Sequence, residues 1–115
     1  MQDSDQVPEG FEKVCLLSEL QPGKGSRFIV NDEEVALFNI GGKVYALDNV
    51  CPHQHSPIIY NGYEDDNFIA CPAHGWRFSL ETGKKPDGTR GLTTYPVMII
   101  EGTVYCKVIP KKFNW

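Results

Sequence analysis

Residues 34–47 read EVALFNI-GG-KVYAL, two apolar runs on either side of a glycine pair. Two glycines supply the positive φ angles that a two-residue hairpin turn needs, so this stretch predicts an antiparallel hairpin from Glu34–Ile40 to Lys43–Leu47. The same alternation of short apolar runs and turn residues continues outward. Upstream, Glu12–Leu16 reads as a strand, Ser18–Gly23 as a turn with room for one helical turn, and Arg27–Val30 as a strand turned by Asn31-Asp32. Downstream, residues 48–57 are irregular, Ile58–Tyr60 is apolar, and Asn61-Gly62 reads as a further hairpin turn. Asn67–Ala70 then forms a strand running into Cys71, and Trp76–Leu80 leads away to a turn at Glu81-Thr82-Gly83. After a Pro/Gly-rich loop over Lys84–Gly91, Thr93–Ile100 and Thr103–Ile109 pair about Glu101-Gly102. Tyr95-Pro96 starts or interrupts the first of these, since proline has no amide hydrogen for a ladder. No window of helical length carries a 3.6-residue period. Many short strands with turn signals between them predict an all-β sandwich or barrel.

A length of 115 residues, 41% hydrophobic and 23% charged, suits one globular domain with one modest core. The formal net charge of −4 and the lack of a basic stripe argue against a nucleic-acid binder. Three acidic clusters, at Asp3/Asp5, Asp32–Glu34 and Glu64–Asp66, read as solvated turns. The longest apolar run, Val97–Ile100, is far too short to span a bilayer. Residues 1–6, MQDSDQ, have neither the basic nor the apolar part of a secretory signal, so a cytoplasmic protein with no membrane partner is expected.

In such a compartment cysteines serve metals or chemistry more often than disulfides. Cys15 and Cys106 lie within strand-like stretches and read as buried free thiols. Cys51 and Cys71 do not. The first opens CPHQHSP (51–57) and the second opens CPAHGW (71–76). In ligand terms this is C-x-H, then residues 54–70, then C-x-x-H. Each half offers one thiolate and one imidazole from an irregular loop that follows a strand. Pro52 and Pro72 stiffen the two loops, and Gly75 permits positive φ or close backbone approach. A tetrahedral Cys₂His₂ zinc site is the alternative, although zinc fingers usually keep like ligands together and here each half is mixed.

The motifs resemble the Rieske family: Cys51-Pro52-His53 and Cys71-Pro72-Ala73-His74-Gly75-Trp76, followed by Phe78 and Thr82-Gly83. The hairpin order extends the resemblance from about Phe11 to Ile109. It implies stacked antiparallel sheets with a small cluster-binding subdomain formed by two loops. It also implies one [2Fe-2S] cluster on Cys51, His53, Cys71 and His74, two ligands per iron. High-potential members of the family place a disulfide between the cluster loops, where Ser56 and Ala73 stand here. They also direct serine and tyrosine hydroxyls at the cluster, where this chain has Trp76 and Phe78. Hydrogen bonds to sulfur favour the reduced cluster, so the resemblance implies a potential near the low end of the roughly −150 to +300 mV Rieske range.

Only His55 remains after ligation, and the length leaves no room for a catalytic iron domain. The resemblance therefore implies no catalysis by this chain, but a one-electron carrier. A flavin-dependent NAD(P)H reductase would be its donor and a terminal oxygenase or a reductase its acceptor. A small redox subunit of a nitrite-reductase-like complex and a zinc-stabilised interaction module are the alternatives. The expected organisation is a loose tail over 1–10, a single domain over 11–110 with its cluster-binding part at about 48–80, and a tail over 111–115. His55 reads as a surface side chain. With Pro52, Gln54 and Trp76 it should flank the cluster.

Overall fold

The computed structural model describes residues 7–52, 55–73, 75–89 and 91–109. Ten short strands run through them in chain order: β1 (Phe11–Leu16), β2 (Gly25–Val30), β3 (Glu33–Ile40), β4 (Lys43–Asp48), β5 (Tyr63–Asp65), β6 (Phe68–Ala70), β7 (Arg77–Ser79), β8 (Thr94–Tyr95), β9 (Val97–Ile100) and β10 (Thr103–Lys107). Leu17–Glu19 and Ile59–Asn61 form single 3-10 turns. The strands make three antiparallel sheets, ordered β1-β10-β9, β2-β3-β4-β8 and β5-β6-β7.

The middle sheet explains the apolar run at residues 35–38. Val35 and Leu37 face one core with Val44, Ala46, Val104 and the two thiols Cys15 and Cys106. Ala36 and Phe38 face the opposite core with Leu47, Ile59, Ile69, Cys51, Cys71 and Phe78. All four residues of the run have no exposed surface. A strand covered on both faces needs apolar residues at every position, so the alternation expected of a half-solvated strand disappears. The result is a three-layer stack, with the sheet β5-β6-β7 and its loops packed below the middle sheet and β1-β10-β9 above it.

Two expectations are corrected. Asn61-Gly62 is no hairpin turn. Asn61 closes the 3-10 turn, and Gly62 sits at φ −70° where a Cβ would lie 2.5 Å from the Ala70 carbonyl oxygen. Gly62 thus serves close packing against β6. The hairpin turn is Asp66-Asn67, with φ of 55° and 69°, and the Glu64 carboxylate accepts from the Asn67 amide at 2.8 Å. Asn and Asp tolerate the left-handed region better than other non-glycine residues. The strand before this turn, β5, lies in a stretch with no apolar alternation and was not expected. The second correction concerns Thr93–Ile100: Pro96 interrupts it, as expected, but the two parts, β8 and β9, belong to different sheets rather than to one strand. No helix among the described residues is long and apolar enough to cross a membrane.

Candidate metal centre

Two loops of the lower layer bring Cys51 and Cys71 together. Both residues are only 1% exposed, and their Sγ atoms lie 3.5 Å apart. A disulfide would hold them at about 2.05 Å. Two thiolates on one tetrahedral metal, each at about 2.3 Å, stand about 3.8 Å apart. The pair stands nearer the spacing of two ligands on one tetrahedral metal than that of a disulfide. His53 and His74, the expected ligands of the other iron, lie outside the described residues, as does Gln54. Among the described residues, no group of three or more His, Cys, Asp or Glu side chains forms a competing metal site.

The two loops close in the same way. In the first, the Cys51 amide donates to the Ser56 carbonyl at 2.9 Å and the His55 amide donates to the Cys51 carbonyl at 2.6 Å. In the second, the Cys71 amide donates to the Trp76 carbonyl at 2.7 Å and the Gly75 amide donates to the Cys71 carbonyl at 2.8 Å. His55, at φ 58°, thus occupies the place that Gly75 holds at φ 74°. A Cβ on Gly75 would meet nothing within 4 Å, so that glycine answers a backbone requirement rather than a spatial one. His55 is exposed, as expected, and its left-handed backbone could not have been read from composition.

The loop necks differ. The second loop bridges β6 and β7, where Ala70 pairs with Arg77. The first leaves β4 and returns through an isolated bridge between Val50 and Pro57. It is anchored by Asn49, which has no exposed surface. The Asn49 side-chain amide donates to Glu34 Oε1 at 2.9 Å and to the Pro57 carbonyl at 3.2 Å, and its Oδ1 accepts from the Tyr60 amide at 2.8 Å. Glu34 in turn takes a two-pronged hydrogen bond from Arg27, one arm at 2.8 Å. These Arg27 bonds hold the Glu34 carboxyl below the usual carboxylate range, against the partial burial that would raise it.

The chain that follows β7 also reaches the second loop, through the described residues Lys84–Thr89 and Gly91–Leu92. Its ends are tied by Ser79 amide to Lys84 carbonyl and Leu92 amide to Gly83 carbonyl, both 2.8 Å. It carries the Lys85 ammonium to 4.1 Å from the Trp76 ring centroid. Trp76 also packs at 58° and 6.5 Å against the buried Phe78. Asn49 and Lys85 went unnoticed in the sequence. An asparagine before a loop and a lysine in a Pro/Gly stretch carry no pattern of their own.

None of the four cysteines is in a disulfide, so no disulfide joins the loops, and Ser56 and Ala73 could not form one. Burial pushes the Cys15 thiol up to about 11, with Glu19 adding to the shift, and the Cys106 thiol up to about 12. Both stay protonated at neutral pH and act as small apolar side chains in the upper core.

The sequence profile of the Rieske [2Fe-2S] domain matches residues 10–96. The chain belongs to the Rieske family. Its cofactor is one [2Fe-2S] cluster, and the zinc alternative falls away. A relative from Photorhabdus laumondii, a 3-phenylpropionate/cinnamic acid dioxygenase ferredoxin subunit, is 36% identical over 97 residues, covering 83% of this Rieske chain and 91% of its own. Among solved structures, one assigned as an NADH-dependent nitrite reductase small subunit from Mycobacterium tuberculosis superposes with a TM-score of 0.81 at 25% identity, over 88% of this chain and 96% of that one. A chain from the complex of reduced oxygenase and oxidized ferredoxin in carbazole 1,9a-dioxygenase matches with a TM-score of 0.72 at 32% identity, over 83% of this chain and 99% of that one. This Rieske protein is an electron-transfer component, not a catalyst in itself.

Proposed function

We propose that this Rieske protein is the ferredoxin of an oxygenase system, with its cluster held by Cys51, His53, Cys71 and His74. The observation that carries the ligand set is the buried Cys51–Cys71 pair, 3.5 Å apart at the ends of two identically closed loops. Each loop motif has one histidine within three residues of its cysteine. When bound, the cluster supplies a one-electron ferric–ferrous couple. The chain's own work is to bury the two thiolates, exclude water with Phe78, Leu92 and Trp76, and present the loop tips to a partner. A flavin-dependent NAD(P)H reductase is the proposed donor and a terminal oxygenase the acceptor. The support is the dioxygenase ferredoxin relative and its coverage of nearly the same length. The likeness to a nitrite reductase small subunit supports a second reading, a redox subunit of such a complex. The proposed compartment is the cytoplasm, and the proposed domain runs over residues 11–110, with its cluster part at about 48–80.

The midpoint potential is low, because no loop disulfide forms and Phe78 brings no hydroxyl to the cluster. Redox titration of the purified protein tests this. A midpoint in the lower part of the roughly −150 to +300 mV range is expected, and one above about +100 mV contradicts the proposal.

A further inference from the structure

We propose that Asn49 is the positioning residue of the first ligand loop, clamping its neck through Glu34 and Arg27 so that Cys51 stays opposite Cys71. The inference rests on the ligand reading proposed above.

Three separate pieces of chain meet at this one side chain. Asn49 itself leaves β4, and its backbone amide donates to the Glu34 carbonyl of β3 at 3.1 Å. Its side-chain amide reaches Glu34 Oε1 and the Pro57 carbonyl, where the loop returns. Its Oδ1 and its backbone carbonyl accept from the Tyr60 and Ile59 amides, at 2.8 and 3.1 Å, in the 3-10 turn beyond. Every one of these bonds falls just outside residues 51–56, on the strand and turn that frame the loop. The backbone bond to Glu34 lies one step beyond the Val35–Asp48 pair that ends the β3–β4 ladder.

The second loop needs no such device, since its neck is a continuation of the β6–β7 ladder. The first has only the isolated Val50–Pro57 bridge. A fully buried amide there, with both donor hydrogens and its oxygen in use, replaces the missing ladder. Arg27 holds both oxygens of the Glu34 carboxylate, and Oε1 accepts from Arg27 Nε and from the Asn49 side-chain amide together. Loss of the clamp should open the neck and free Cys51 without separating the sheets.

The test follows cluster release from the holoprotein, as bleaching of visible absorbance by an iron chelator. Asn49→Ala and Asn49→Asp should each release the cluster about tenfold faster, the effect of losing a buried hydrogen bond. Asn49→Asp places a carboxylate against Glu34, so adding Glu34→Gln reverses donor and acceptor and should recover part of that loss. The EPR lines of the surviving reduced Asn49→Ala protein should broaden, which a uniform loss of fold stability does not produce. Should both Asn49 variants fail to fold, Glu34→Ala removes only the outer arm and should speed release about threefold.

Wild-type release rates in Asn49→Ala, or in Glu34→Ala where that is the variant obtained, overturn the inference. So does a double variant that releases no more slowly than Asn49→Asp alone. A cluster that survives Cys51→Ser instead overturns the ligand reading, which separates the two failures.

Discussion

The two loops around Cys51 and Cys71 share one backbone closure and differ in what holds it. Each ties its cysteine amide five residues ahead, and each turns through a left-handed residue four ahead. Around the second loop the support is apolar and aromatic: Phe78 beneath, Trp76 beside it and Lys85 over the indole. Around the first it is a polar hub, Asn49 with Glu34 and Arg27. One loop grows out of a β-hairpin and inherits its neck. The other interrupts a strand exit and needs side chains to make one. The same backbone closure has been reached from unequal surroundings.

The comparison is most sharply broken at the thiolates. Cys51→Ser and Cys71→Ser should each abolish the visible absorbance of the cluster, because the two sulfurs stand in equivalent places. Retention in one variant but not the other would break the equivalence. The turn residues give the next largest effect. Gly75→Ala forces a Cβ into the left-handed region and should cost about 1–2 kcal/mol in urea unfolding. Open space around that Cβ makes the penalty purely conformational, so Gly75→Asn should recover most of it.

Lys85→Met should remove about 0.5–1 kcal/mol of cation–π attraction and alter tryptophan emission, with no counterpart in the first loop. The smallest effect runs the other way. His55→Gly should stabilise by about 0.5 kcal/mol, since the relief of a strained backbone outweighs the extra chain entropy of glycine.

How far the sequence was legible follows the same divide. The Gly41-Gly42 turn and the apolar runs around it located β3 and β4, because turn chemistry and burial act locally there. The meeting of Cys51 and Cys71 was legible, because metal chemistry restricts residue type and spacing together. β5 was not, since Tyr63–Asp65 carries no apolar alternation and pairs only because β6 lies beside it. Gly62 misled because a glycine needed for close approach looks, in sequence, like one needed for a turn. Asn49 was illegible for a related reason: its partners at Glu34, Pro57 and Tyr60 are separated along the chain, and only the fold assembles them.

The central claim is that both loops deliver one thiolate and one imidazole to a single [2Fe-2S] cluster. Pulsed EPR of the reduced protein tests it most directly, because nitrogen bound to iron couples to the unpaired electron. Strong couplings to two histidine nitrogens are expected, one lost in His53→Ser and the other in His74→Ser. A reduced cluster with no strongly coupled nitrogen, as all-cysteine ligation produces, would contradict it.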